Sequence, residues 1–533
     1  MFCAQKEAPA DAAVSRRVNP AVNPERKIVH PVLIEGEWKQ SDQPLGVFQA
    51  IDPSSGQTLA DEYPISNALE LERALQAGVE AAEMMFSIDS SLVVAFLRGY
   101  ADRIETNAAR LADIAHLETA LPISPRLIEM EIPRTILQLR LAADAAEQES
   151  WREAKIDHEA SIASCMGPLG APVLVIGPSN FPFAYNGIAG GDFAAAIAAQ
   201  NPVIAKAHPL HPSTTRLLGE FAAEAAADSG LPQSVVQLVY DVKPEDGLRL
   251  AGDRRLGALA FTGSRRAGLA LKNAADDGGT PAYLEMSAVN PVFVLPGALT
   301  NHSEQLIDDY YNSCTLGVGQ FCTSPGLLVL PKSDNTELVL NSIAQRFDGS
   351  DAGTMLAASL AANAVSVIEQ LLSGGASFVS NDRRSEQTGA YFYPMLLRCT
   401  AKQFLSNTQT LQSEAFGPIG LAVVAEDIQQ MITIARTLEG SLTATVYSDQ
   451  DGSDDDDYKR IAPLLRARCG RLLNDKMPTG VTVSPAMNHG GPYPATGHPG
   501  FTAVGMPGAI RRFAALHCYD HVRTNRLPKC LRS

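Results

Sequence analysis

The chain has 533 residues, 45% of them apolar and 19% charged, with a net charge of −16. It is too long for one hydrophobic core, so two or three domains are expected. The negative charge argues against a nucleic acid or an anionic membrane as partner and leaves a small molecule. No run approaches the roughly 18 consecutive apolar residues of a membrane span, and the first 30 residues lack the apolar core of a secretory signal. The eight cysteines, with no CxxC pair, read as reduced thiols of a cytoplasmic protein, most of them structural.

Residues 1–31 form a polar, proline-containing arm, and Leu33-Ile34-Glu35-Gly36-Glu37-Trp38 reads as a strand entering the turn of a hairpin. From 67 to 149 the apolar period is helical. Leu69, Ala74, Val79 and Ala82 mark a first amphipathic helix, and residues 97–117 and 127–146 a second and third. After residue 170, short apolar runs at 172–176, 202–206, 235–240 and 256–261 alternate with helical stretches at 183–199, 213–229, 245–250 and 265–275. This alternation predicts an α/β fold with a doubly wound parallel sheet, whose ligand sits at the carboxyl ends of the strands.

At one such end, Phe261-Thr262-Gly263-Ser264-Arg265-Arg266-Ala267-Gly268 closes a strand and opens a helix. Gly263 permits close backbone approach, and Ser264 with the free N–H groups of the helix start can hold a pyrophosphate. The G-x-G-x-x-G spacing is absent, and an N-cap role for Ser264 explains the turn about as well.

Five motifs occur in order: Pro178-Ser179-Asn180-Phe181-Pro182, Phe261-Thr262-Gly263-Ser264, Leu284-Glu285-Met286, Gly319-Gln320-Phe321-Cys322 and Glu414-Ala415-Phe416-Gly417-Pro418. As a set they resemble the aldehyde dehydrogenase superfamily, over about residues 33–500. The resemblance implies a cofactor-binding domain of residues 1–156 and 171–286, a catalytic domain of 287–494 carrying Cys322, and a small β oligomerisation flap and tail of 157–170 and 495–533. A homodimer or homotetramer is expected.

Carried over residue by residue, Cys322 resembles the nucleophile, Glu285 the general base and Asn180 the oxyanion donor. A thiolate attacks a carbonyl to give a thiohemiacetal and then a thioester, and its formation requires a lowered thiol pKa. A half-buried Glu285 beside an apolar wall is expected to have a raised pKa. Its presence argues against passage of the acyl group to coenzyme A. Glu414 resembles the residue that holds the nicotinamide ribose, Phe416 packs near the ring, and Lys206 resembles the lysine at the adenosine ribose. Without the other motifs Asn180 would read as a helix cap, and Glu285 as a surface carboxylate.

Pro209 stands where many members carry an acid three positions after that lysine. Lys206, His208 and His211 could then welcome a 2′-phosphate, so NADP is favoured, with NAD also usable. Ser179 before Asn180, Glu285-Met286-Ser287-Ala288-Val289-Asn290-Pro291 and the 206–212 stretch resemble the branch that oxidises 2-oxoglutarate semialdehyde (2,5-dioxovalerate) and also contains long-chain aldehyde dehydrogenases. A dicarboxylate product requires a cation at the substrate's far end. Arg134 and Arg140 on the 127–146 helix are candidates, with Phe181 and Phe321 as tunnel walls; solvated helix charges are the alternative.

The run Ser453-Asp454-Asp455-Asp456-Asp457 is expected to stay in water, His489 to be structural, and no zinc-like spacing occurs. Two readings from other classes stand against the dehydrogenase: a thiol esterase needing no cofactor, and a catalytically retired binding protein.

Overall fold

The computed structural model describes residues 29–532. The short apolar runs form a seven-stranded sheet in the order Ala282–Glu285, Ala258–Thr262, Val173–Ile176, Val203–Lys206, Val236–Val239, Val32–Ile34, Glu37–Lys39. The first five strands are parallel, and the Val32–Ile34 hairpin closes one edge antiparallel through Glu35 and Gly36, both at positive φ. Val236–Val239 is buried at every position, as a parallel strand covered on both faces must be. Chain order reverses between Val173–Ile176 and Ala258–Thr262, which opens a crevice at their carboxyl ends.

Helices Pro212–Ser229, Pro244–Ala251 and Arg265–Gly278 lie where the period put them. The stretch 183–199 differs: only Gly191–Ala198 is helical, and the residues before it are turns. Asn186 supplies the reason, since its Nδ2 donates to the Pro182 carbonyl and to Thr215 Oγ1 (both 2.9 Å), holding a compact loop where a helix would need free backbone. The second helix predicted in the N-terminal region splits at Asn107 into Ser90–Thr106 and Ala108–Thr119. The third begins with a π-helical segment, Ile123–Glu131, before Ile132–Glu147. Leu69, taken as apolar-face, is exposed.

A second seven-stranded sheet runs Ser377–Phe378, Met395–Thr400, Ile419–Ala425, Leu327–Pro331, Pro291–Val294, Ser441–Tyr447, Cys469–Asn474, parallel except for the first strand. Against it packs Asp454, which is not solvated as expected. It is buried and accepts the N–H groups of Gly297 (2.8 Å), Ala298 (3.0 Å) and Asp449 (2.8 Å). The first two are orphan donors of the helix start at Pro296–Asn301, so the carboxylate is held inward by the bonds it satisfies. Ala514–Asp520, Ile162–Pro168 and Lys155–Asp157 make a separate antiparallel sheet. No helix among the described residues is long and apolar enough to cross a membrane.

Candidate active site

Cys322 sits where two cavities meet. It follows a tight segment, Leu316–Gly319, in which Gly317, Val318 and Gly319 all have positive φ (58°, 55° and 66°). For β-branched Val318 this is a strained conformation that the surroundings must enforce. A Cβ on Gly319 would lie 2.2 Å from the Gly417 carbonyl, so only glycine lets the nucleophile loop rest on the Glu414–Pro418 segment. Asn290 fastens the other side, its Nδ2 donating to the carbonyls of Cys322 (2.8 Å) and Ser324 (3.0 Å).

Glu285 ends its strand and faces Cys322 across the crevice, and His489 joins them. His489 Nε2 lies 3.0 Å from Glu285 Oε1 and 3.7 Å from Cys322 Sγ. Both His489 and Glu285 are buried. His489, expected from sequence to be structural, thus lies against both Glu285 and Cys322.

The electrostatics differ from expectation at two positions. Burial pushes the Glu285 carboxyl up, but the charge and hydrogen bond of His489 outweigh it, leaving the pKa below the ordinary carboxylate value. Burial, then the charge of Glu285, push the Cys322 thiol well above its usual range. Below its raised pKa the thiol keeps its proton, so a base must remove it.

Asn180 is buried, and its Nδ2 donates to the Gln320 carbonyl at 2.8 Å, two residues before Cys322. The second N–H of that amide remains for an oxyanion. The loop carrying Asn180 is pinned from below by Arg126 and Glu131, neither of which the sequence reading marked. Arg126 Nη2 donates to the Asn180 carbonyl at 3.0 Å, and Glu131 Oε1 accepts the N–H groups of Phe183 (2.8 Å) and Ala184 (3.1 Å). The two form a buried ion pair.

The first cavity follows the strand ends at the reversal point, from Lys206, His208 and Asp241 past Gly263 and Ser264 to Glu414, Phe416 and Cys322. Gly268 does not line it. A Cβ there would meet Met286 at 2.9 Å, so its role is close packing of the helix. Ser264 caps that helix, accepting the Ala267 N–H at 3.3 Å, and also lines the cavity. Glu414 has its pKa raised to about 7 by burial, partly offset by hydrogen bonds from Ser287 and Ala288.

The groups expected to meet a 2′-phosphate carry little free charge in this geometry. Burial holds His208 well below its ordinary pKa and His211 at about 4, so both stay neutral. Lys206 Nζ is paired with Asp241 Oδ1 at 2.9 Å. Asp241 is thus an acid at the cavity's far end that the sequence reading did not find.

The second cavity runs from Cys322 between the helix Ile132–Glu147 and residues 480–483, walled by Phe181, Phe321, Tyr185, Arg126, Arg134 and Val481. Arg126 lies 4.5 and 5.1 Å from the ring centroids of Phe181 and Phe321. Arg134 donates to the Val481 carbonyl and, at 3.1 Å, to the Tyr185 hydroxyl. No carboxylate pairs with Arg134 among the described residues. Arg140 is no part of this cavity: it points to the opposite side of its helix and pairs with Asp102 (2.9 Å) and Glu105 (2.6 Å).

Residues 38–491 match the model of the aldehyde dehydrogenase family. The chain belongs to this family. It is 35% identical over 501 residues to alpha-ketoglutaric semialdehyde dehydrogenase 2 of Azospirillum brasilense, covering 91% of this chain and 93% of that protein. It is 32% identical to alpha-ketoglutaric semialdehyde dehydrogenase of Acinetobacter baylyi, over 87% of this chain and 88% of that one. Among solved structures it resembles lactaldehyde dehydrogenase of Escherichia coli (TM-score 0.79, 18% identity, 93% of this chain and 99% of that one). It also resembles aldehyde dehydrogenase C of Pseudomonas syringae, solved with NAD+ and octanal (TM-score 0.76, 19% identity, 92% and 96%).

This aldehyde dehydrogenase is an NAD(P)-dependent enzyme of the α/β class. The first cavity fits a dinucleotide on its own terms. It sits at the reversal point of a doubly wound sheet, meets the N-terminus of the helix Arg265–Gly278, and reaches from Asp241 to Cys322.

Proposed function

We propose that this enzyme oxidises 2-oxoglutarate semialdehyde to 2-oxoglutarate through a thioester on Cys322. The observation that carries the substrate is Arg134, a cation in the wall of the cavity that ends at Cys322, with no carboxylate of its own among the described residues. A carboxylate at the far end of the substrate supplies one. The names of the two relatives at 35% and 32% identity support the same reading.

In this mechanism the Glu285–His489 pair takes the thiol proton: His489 Nε2 lies 3.7 Å from Cys322 Sγ and 3.0 Å from Glu285 Oε1, and the carboxylate supplies the vacant proton site. The thiolate attacks the aldehyde carbon, and the Asn180 amide donates to the oxyanion of the thiohemiacetal. Such a donor is worth ~3 kcal/mol. NAD(P), when bound, supplies the two-electron acceptor that makes a thioester possible. Glu285 and His489 then deprotonate the water that hydrolyses the thioester, returning Cys322 to the thiol. Lys206, Gly263, Ser264, Glu414 and Phe416 line the first cavity, and in this reading Glu414 accepts the nicotinamide ribose hydroxyls.

For the acceptor we read NAD as preferred over the NADP expected from Pro209, because Asp241 neutralises Lys206 and two buried neutral histidines add no charge. Exposed Leu516 (70%) and Ile162 (39%) on the small sheet support a flap that pairs in a homodimer or homotetramer. Seven free cysteines among the described residues support a reducing, cytoplasmic setting.

A second reading is favoured by Met130, Leu137, Val481 and Val483 in the same cavity, which suit a long alkyl aldehyde. Rates with 2-oxoglutarate semialdehyde, succinate semialdehyde, glutaraldehyde and a long alkanal, each with NAD and NADP, test both. A kcat/KM highest for the alkanal would overturn the dicarboxylate assignment.

A further inference from the structure

Glu285, Cys322 and His489 come from a strand end, the nucleophile loop and a distant C-terminal loop, yet each presents a donor atom to one small volume, all within 4.8 Å of one another. We propose that these three side chains form an inhibitory zinc(II) site. A tetrahedral zinc with bonds of ~2.0 Å to nitrogen and oxygen and ~2.3 Å to sulfur holds its N and O ligands roughly 3.3 Å apart and its N and S ligands roughly 3.5 Å apart. The corresponding distances here are 3.0 Å between Nε2 and Oε1 and 3.7 Å between Nε2 and Sγ. Both pairs that share Nε2 therefore lie within a few tenths of an ångström of zinc geometry, and all three donors lie within 4.8 Å of one another.

Two further observations point to a ligand. Glu285 is only 6% exposed, and its Oε2 is buried without a hydrogen-bond partner among the described residues. An unsatisfied buried carboxylate oxygen is costly, and it marks a carboxylate with bonding capacity left for a ligand. The charge also balances: one thiolate and one carboxylate against Zn2+, with a neutral imidazole, give a site of zero net charge in a buried place. Zn2+ displaces the thiol proton and any proton on Nε2 into solvent, while the two cavities leave the fourth position to water. The thiolate and imidazole favour zinc over magnesium or calcium, which prefer oxygen ligands.

Zinc so held occupies the sulfur lone pair that attacks the aldehyde, so the ion switches the enzyme off reversibly. Only this inhibitory consequence rests on the dehydrogenase reading; metal binding itself does not.

The test titrates metal-stripped full-length enzyme with ZnCl2 against a chromophoric zinc indicator. The wild type is expected to take up one tight equivalent, Cys322→Ser to lose it, and Glu285→Gln and His489→Gln to bind at least roughly tenfold more weakly. In the wild type, one equivalent of ZnCl2 should slow iodoacetamide labelling of the Cys322 peptide at least tenfold, and EDTA should restore it. That labelling needs no variant to fold. Equal zinc affinity in wild type and Cys322→Ser, or labelling unaffected by bound zinc, overturns the proposal. An enzyme that binds zinc at Cys322 but oxidises no aldehyde would instead overturn the function proposed above and leave the metal site standing.

Discussion

His489 Nε2 lies 3.0 Å from Glu285 Oε1, in a buried contact between residues 204 positions apart in the chain. The same nitrogen faces Cys322 Sγ at 3.7 Å, so a single imidazole connects the base expected from sequence to the nucleophile. His489→Asn should lower kcat by roughly 10²–10³, within the range for a lost general base, while the protein stays folded. Steady-state kinetics at 340 nm check this, and an unchanged kcat would remove His489 from the mechanism.

The thiol of Cys322 is pushed well above its ordinary range by burial and by Glu285. Below such a raised pKa the thiolate fraction grows about tenfold per pH unit. In enzyme without cofactor, the rate of iodoacetamide inactivation should therefore still be climbing at pH 9. A plateau reached by pH 7 would mean a depressed thiol pKa and no need for the His489 base.

Glu414 has its carboxyl raised to about 7 by burial, so it is ionised above that pH and protonated below. An ionised carboxylate accepts hydrogen bonds from both ribose hydroxyls, and protonation removes a charge-assisted bond worth ~1.5 kcal/mol. The Kd for the cofactor, read by fluorescence titration, should rise by up to about tenfold from pH 8 to pH 6. In Glu414→Gln the dependence should flatten; an equal slope in both proteins would assign it elsewhere.

Arg134→Ala should raise KM for 2-oxoglutarate semialdehyde at least tenfold and leave an uncharged aldehyde within twofold, whereas Arg140→Ala should change neither, since Arg140 pairs with Asp102 and Glu105 on the surface. Equal effects of Arg134→Ala on both aldehydes would reject carboxylate recognition.

Asp241→Ser frees Lys206 from its 2.9 Å ion pair and removes the charge that repels a 2′-phosphate. The ratio of NADP to NAD kcat/KM should rise at least tenfold, with a parallel change in the two dissociation constants. A ratio that does not move would show that Asp241 does not read the ribose.

Much of this fold is legible in the sequence because parallel strands buried on both faces are short apolar runs, as at Val173–Ile176 and Pro291–Val294. Cys322, Glu285 and Asn180 stand in local motifs, and the chain brings them together. His489 stands in a loop after Asn488 with Gly490-Gly491-Pro492 beyond it, and its partner lies 204 residues away, so no local pattern reports the contact. Arg126 and Asp241 escape for the same reason: a paired charge inside the fold looks like a surface charge until its partner is placed. Arg134 and Arg140, six positions apart on one helix, differ only in the face they occupy.

Intact-mass and peptide analysis of Glu285→Gln, quenched after mixing with 2-oxoglutarate semialdehyde and NAD, tests covalent catalysis at Cys322 most directly. With hydrolysis slowed, an acyl group should accumulate on the peptide containing Cys322 as NADH forms, and Cys322→Ser should show neither the adduct nor NADH. Formation of NADH by Cys322→Ser at the wild-type rate would contradict the account.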